Sequence, residues 1–214
     1  MKVAILGASG LAREAVATAE ALRATGMDIE VVGFVDISLR AGEEIADLPV
    51  LGDESWFGTP GAGDVKAVPA IGSPPIRRRS VAAVHKHGGA FASLVHPTVS
   101  IGSRVTLGTG LLALPMSSLT ADIVVGDYVS INPGCTIGHD ATIGRFVNLS
   151  PGSRISGFVT IGEGADIGAG SVVLPGLRVG DDAVLGAGAV AVRNVDPGVT
   201  VVGVPARILR GREG

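Results

Sequence analysis

A chain of 214 residues, 46% of them hydrophobic, is long enough for one or two domains with a sizeable core, and its net charge of −3 argues against nucleic-acid binding. The single cysteine, Cys135, excludes a disulfide within the chain, and no apolar run reaches membrane-spanning length. Residues 1–10 read as a β-strand with one lysine rather than a signal peptide, so a cytoplasmic protein with no membrane insertion is expected.

In chain order, Lys2–Leu6 is a short buried-strand pattern, followed by the turn Gly7-Ala-Ser-Gly10 and a helical run from Leu11 to Ala24. Strand, glycine turn and helix open a nucleotide-binding βαβ unit. The turn lets backbone approach a phosphate, and the helix start offers free N–H groups with partial positive charge. Val31–Asp36 reads as the second strand, ending on a carboxylate where dinucleotide enzymes hold a ribose or a base. Val50–Gly52 and Lys66–Ile71 read as further strands around a loop at Gly58–Gly63. Gly72 and Ser73 then stand at a strand's C-terminal end, the ligand edge of a parallel sheet. The helix that follows carries Arg77, Arg78 and Arg79 in its first turn, either reaching a phosphate or forming a solvated basic face, and His85 and His87 read as surface residues. The domain boundary is expected near residue 90, giving a Rossmann-like domain at 1–90 and a second domain at 91–214.

That second domain repeats every six residues. In steps of six from Val95 to Ala191 there are 17 positions, all apolar, with 15 of them Val, Ile or Leu. Neither a helix nor simple alternation has this period; a short strand that turns a corner every sixth residue does. Three hexads would close one triangular coil, so residues 18 apart should stack vertically. Glycine often follows the ladder position, as at Gly102, Gly138 and Gly168, and is expected to supply the freedom of each corner. Cys135, two before Ile137, reads as a small inward core residue.

Only His96 and His139 lie in the coils. His96 precedes Pro97 at the start of the repeats, where a structural role is expected. His139 stands two places after inward Ile137 and beside Asp140, so its ring should point outward near a corner. A near-neutral imidazole suits general base work, and an adjacent carboxylate can orient it; a solvated turn histidine fits the same spacing. Stacking by 18 puts Gly157 beside His139, with its N–H suited to a developing oxyanion.

The chain resembles the bacterial sugar acyltransferases that join an N-terminal Rossmann-like domain to a left-handed parallel β-helix. That family includes sialic acid O-acetyltransferases and N-acetyltransferases of UDP-4-amino sugars. The resemblance rests on Gly7–Gly10, Phe34–Asp36, Ala70–Gly72 with Arg77, Ser93–Pro97, Gly138–Asp140, Val147–Gly152 and Val201–Arg207. It implies a homotrimer with acetyl-CoA between neighbouring β-helices, and an acceptor held between one subunit's N-terminal domain and the next subunit's coils. It further implies His139 as general base with Asp140 as its support, and no acyl-enzyme. The matching positions put Gly157 near the thioester, Asn148 near the acetyl group, and Ala169 and Ala187 on the pantetheine arm. Ser9, Gly10, Leu11, Asp36, Ile37 and Gly72 would bind the sugar nucleotide. Two departures stand out: Asn148 replaces a histidine frequent in the family, and Leu11 replaces a polar residue of the glycine turn, leaving backbone N–H groups and Arg13 there.

Acetyl transfer to the amino group of a nucleotide-linked sugar is therefore the expected reaction, with O-acetylation of sialic acid or another glycan precursor as the alternative. A γ-type carbonic anhydrase would need a third coil histidine for zinc, so no metal is expected. A non-catalytic nucleotide-binding scaffold would leave the His139–Asp140 pair and the closing Val201–Arg207 segment without a purpose.

Overall fold

The computed structural model describes residues 1–209, in two compact units. The first comprises Met1–Pro97 with Thr109–Leu114, and the second Thr98–Gly108 with the chain from Pro115 onward.

In the first unit, β1 (Lys2–Leu6), α1 (Gly10–Ala24), β2 (Glu30–Val35), β3 (Glu44–Ile45), β4 (Leu48–Gly52), β5 (Lys66–Pro69) and α2 (Pro74–Lys86) build a five-stranded sheet of order β3-β4-β2-β1-β5. The four longer strands are parallel and β3 is an antiparallel edge. β1 is an interior strand between β2 and β5, and its Val3, Ala4, Ile5 and Leu6 are all fully buried, as a strand covered on both faces demands. α1 buries Ala12, Ala15, Ala19 and Leu22 at three- and four-residue spacing; small residues there allow close packing on the sheet. The chain leaves β1 toward β2 on one side and returns to β5 on the other. The switch point therefore lies at the C-terminal ends of β1 and β5.

The β3–β4 hairpin is absent from the sequence reading. Its turn residues, Ala46 and Asp47, both have positive φ (48° and 62°), as a tight two-residue hairpin requires, without the Asn-Gly pair that usually announces one.

In the second unit each hexad contributes a two-residue strand, and three hexads form one triangular coil of a left-handed parallel β-helix. Strands pair in parallel with a register of 18, as in Ser118 opposite Thr136 and Thr136 opposite Arg154. From Leu119 to Ala191 every ladder residue is at most 2% exposed, whereas Ile101 at the open first coil is 43% exposed. Cys135 is fully buried, and its environment pushes the thiol pKa up, chiefly through burial.

The corners are built differently from the expectation. Glycines after the ladder residue have ordinary φ; they are required because the next coil passes too close for a Cβ. A Cβ on Gly138 would lie 2.5 Å from Gly157 N, and one on Gly102 only 1.5 Å from Thr120 O. The turn itself falls three places after the ladder residue. There every sixth residue from Arg104 to Gly188 is left-handed, with φ between 52° and 73°. Arg104, Asp122, Asp140 and Phe158 hold this conformation without being glycine, at roughly 1 kcal/mol each.

Candidate active site

His139 occupies a corner between the strands Thr136–Ile137 and Thr142–Ile143. Ile137 anchors it inward, Gly138 presses on the next coil, and left-handed Asp140 turns the chain. The imidazole Nδ1 lies 2.8 Å from Asp140 Oδ2, and both side chains are roughly half exposed. A carboxylate only accepts, so in the neutral ring Nδ1 carries the proton and Nε2 keeps its lone pair. The edge of Phe158, one coil on, meets the ring at 5.0 Å between centroids and 89°. Gly157 lies against the same ring: a Cβ there would come within 2.7 Å of Cε1 and 2.8 Å of Nε2. Within the described residues the Gly157 N–H makes no hydrogen bond. A base nitrogen and an available backbone donor therefore share one corner.

The other coil residues singled out from sequence sit elsewhere on the triangle. Asn148 belongs to the face opposite the His139 corner and is buried. Its amide donates to Asp166 Oδ1 (2.8 Å) and Ser150 Oγ (3.1 Å), and its oxygen accepts from Asn132 Nδ2 (3.2 Å). Ala169 and Ala187 stack on another corner, both exposed, beside left-handed Gly170 and Gly188. Within one chain these three residues and His139 do not converge.

In the first unit a cavity of about 630 Å³ opens at the sheet's switch point. Its wall brings together Ser9, Asp36, Ile37 and Gly72, from the loops after β1, β2 and β5. Asp36 Oδ1 accepts from the Ser38 N–H (2.8 Å) and Oγ (2.6 Å), which fixes the loop and leaves Oδ2 for other partners. Ile37 is 79% exposed at the wall. Gly10 begins α1, and Leu11 packs on the apolar core; neither lines the cavity.

Of α2 the sequence reading offers a ligand only the arginines; Ile76, Ser80 and Ala83 line the cavity beside Arg79. Their spacing of three, four and seven is a helix-face signal present in the sequence. The arginines also separate: Arg79 reaches the cavity wall, whereas Arg77 is fully buried and neither lines the cavity nor forms a solvated face. Its guanidinium donates to the carbonyls of Ile71 and Gly72, because a buried charge must be matched, and so fixes the loop carrying Gly72.

Among the described residues no group of three His, Cys, Asp or Glu side chains could hold a metal ion, and no helix is long and apolar enough to cross a membrane.

Residues 2–84 match the family model of the PglD N-terminal domain, 122–157 the bacterial transferase hexapeptide and 158–191 the hexapeptide repeat of succinyl-transferase. No curated protein matches the sequence. Among solved structures, a histidine-to-asparagine mutant of perosamine N-acetyltransferase from Caulobacter crescentus, in complex with CoA and GDP-perosamine, is 31% identical with a TM-score of 0.89, covering 99% of this chain and 98% of that one. WeeI from Acinetobacter baumannii is 30% identical with a TM-score of 0.87, covering 98% and 100%. The acetyltransferase domain of PglB from Neisseria gonorrhoeae, in complex with acetyl coenzyme A, is 29% identical with a TM-score of 0.85, covering 97% and 98%. On these matches the chain belongs to the sugar acyltransferases that join a PglD-type N-terminal domain to a left-handed β-helix of hexapeptide repeats, and it is an acyltransferase.

Proposed function

We propose that this enzyme transfers the acetyl group of acetyl-CoA to the amino group of a nucleotide-linked amino sugar, with His139 as general base. The observation that carries the reading is the 2.8 Å contact between His139 Nδ1 and Asp140, which leaves Nε2 unprotonated beside Gly157. Nε2 takes a proton from the acceptor nitrogen as that nitrogen attacks the thioester carbonyl. The Gly157 N–H holds the negative oxygen of the tetrahedral intermediate, and Asp140 stabilises the imidazolium. Collapse breaks the C–S bond, and the departing thiolate takes the proton from His139. Similar solved enzymes bind CoA, acetyl coenzyme A and GDP-perosamine, which supports both substrates.

Residues 1–90 are the acceptor domain in this reading, with Ser9, Asp36, Ile37 and Gly72 at the nucleotide, and residues 91–214 carry the transfer chemistry. In this reading the enzyme acts as a homotrimer, as the family resemblance implies, and the placement of Asn148, Ala169 and Ala187 on other sides of the β-helix from His139 is in keeping with it. If they serve the same acetyl-CoA, a second copy must supply them.

The test is release of free thiol from acetyl-CoA against GDP-, UDP- and dTDP-linked 4-amino sugars and sialic acid. Turnover on one amino sugar, reduced about a hundredfold or more in His139→Ala, is expected. Turnover on hydroxyl acceptors alone would replace the reading with O-acetylation.

A further inference from the structure

The His139 corner carries charge on more than one coil. Three successive left-handed corner residues, 18 apart, are Arg104, Asp122 and Asp140. Backbone bonds link each coil to the next at this corner, Asp122 N to Ser103 O at 3.0 Å and Asp140 N to Ala121 O at 3.1 Å. Adjacent coils are about 4.8 Å apart, so Asp122 and Asp140 are like charges on neighbouring rungs, an arrangement that is destabilising by itself.

Each carboxylate has one cationic or hydrogen-donating partner, on opposite sides of the pair. Arg104 grips Asp122 with two hydrogen bonds, Nε to Oδ1 at 2.5 Å and a terminal nitrogen to Oδ2 at 2.7 Å, while His139 meets Asp140. The Arg104 hydrogen bonds hold the Asp122 carboxyl below the usual carboxylate range, and His139 adds a smaller pull in the same direction. Asp122 thus lies within electrostatic reach of the base, as Asp140 does of Arg104. On exposed side chains such a pair adds little stability, but its two-point geometry fixes the orientation of both groups.

We propose that Arg104 and Asp122 are positioning residues that reserve Asp140 for His139. Arg104 occupies both oxygens of Asp122 and so withholds them from the imidazole. Asp122 in turn occupies the guanidinium and so withholds it from Asp140. The ring keeps one acceptor on its Nδ1 side, and Nε2 stays aimed at the Gly157 corner. The catalytic consequence rests on His139 being the base; the positioning itself does not.

The experiment is a double-mutant cycle on the full chain, with two readouts. In Arg104→Met, Asp122 is released to compete for the ring; in Asp122→Asn, Arg104 is released to compete for Asp140. Each single variant is expected to lower kcat about fivefold with the KM for acetyl-CoA unchanged, and the double variant to return to within about twofold of wild type. In parallel, ¹⁵N chemical shifts of His139 report its tautomer without any substrate. The Nδ1-protonated form should dominate in wild type, decline in both single variants and return in the double variant. Singles with wild-type kcat and tautomer would overturn the proposal, as would a double variant no better than Arg104→Met. If no acceptor supports turnover in wild type, the tautomer series still decides this proposal while the acetyltransferase reading fails separately.

Discussion

At the scale of single residues, the site depends on what is missing at position 157. A methyl group there would press on the Nε2 side of His139, the side proposed to take the proton, and the half-exposed imidazole has room to swing away from it. Gly157→Ala should therefore lower kcat about a hundredfold through a displacement of about 1 Å, while the fold tolerates it. Paired thermal melts and kinetics would check this; a fall in melting temperature that accounts for the lost activity would count against it. The pairing of His139 with Asp140, and their closeness to Gly157, were legible in the sequence because adjacency and a spacing of 18 are arithmetic. Asn148 was not. Whether a polar side chain on a coil face is free for a ligand depends on its neighbours one coil away, and Asn132 and Asp166 claim this one.

At the scale of elements, the two units differ in how openly the sequence announces them. β1, α1 and the aliphatic ladder were legible because burial imposes a period on the residues themselves. The left-handed corners were not, since Arg, Met, Asp, Tyr, Phe and Gly all occupy them and no residue type marks the position. Only the backbone contacts of the neighbouring coil separate a glycine that turns from one that makes room. Arg77 was hidden for a related reason: three consecutive arginines look alike until α2 rotates one inward. The structure assigns that arginine to the loop between β5 and α2. Arg77→Met should cost about 3 kcal/mol, since the Ile71 and Gly72 carbonyls lose their buried donor. Denaturant unfolding would measure the cost. A loss under about 0.5 kcal/mol would mean that the loop stands without it.

At the scale of the whole molecule, His139 and the Ala169–Ala187 corner belong to different edges of the β-helix, on different coils, so the proposed assembly makes a mixing prediction. His139→Ala and Ala187→Trp should each be inactive alone. Unfolded, mixed and refolded together, they should recover measurable activity, because some sites would draw an intact base from one chain and an intact groove from another. Recovery would be absent if each chain held a complete site.

The register of 18 also makes position in the β-helix a form of modular arithmetic. A residue's side of the triangle is its number counted in sixes, modulo three, whereas its place on the inward ladder depends only on the six. Lengthening or shortening the chain by six therefore leaves the apolar core in phase but rotates everything downstream by a third of a turn. Removing residues 170–175 would keep His139, Gly157 and Ala169 where they are and carry Ala187 to the edge now held by Asp181. Such a protein should melt cooperatively with an unchanged β-type circular dichroism signature, yet bind no CoA in a calorimeter. Evolution of this scaffold is quantised accordingly: drift in length is invisible to the core in steps of six, and invisible to the chemistry only in steps of eighteen.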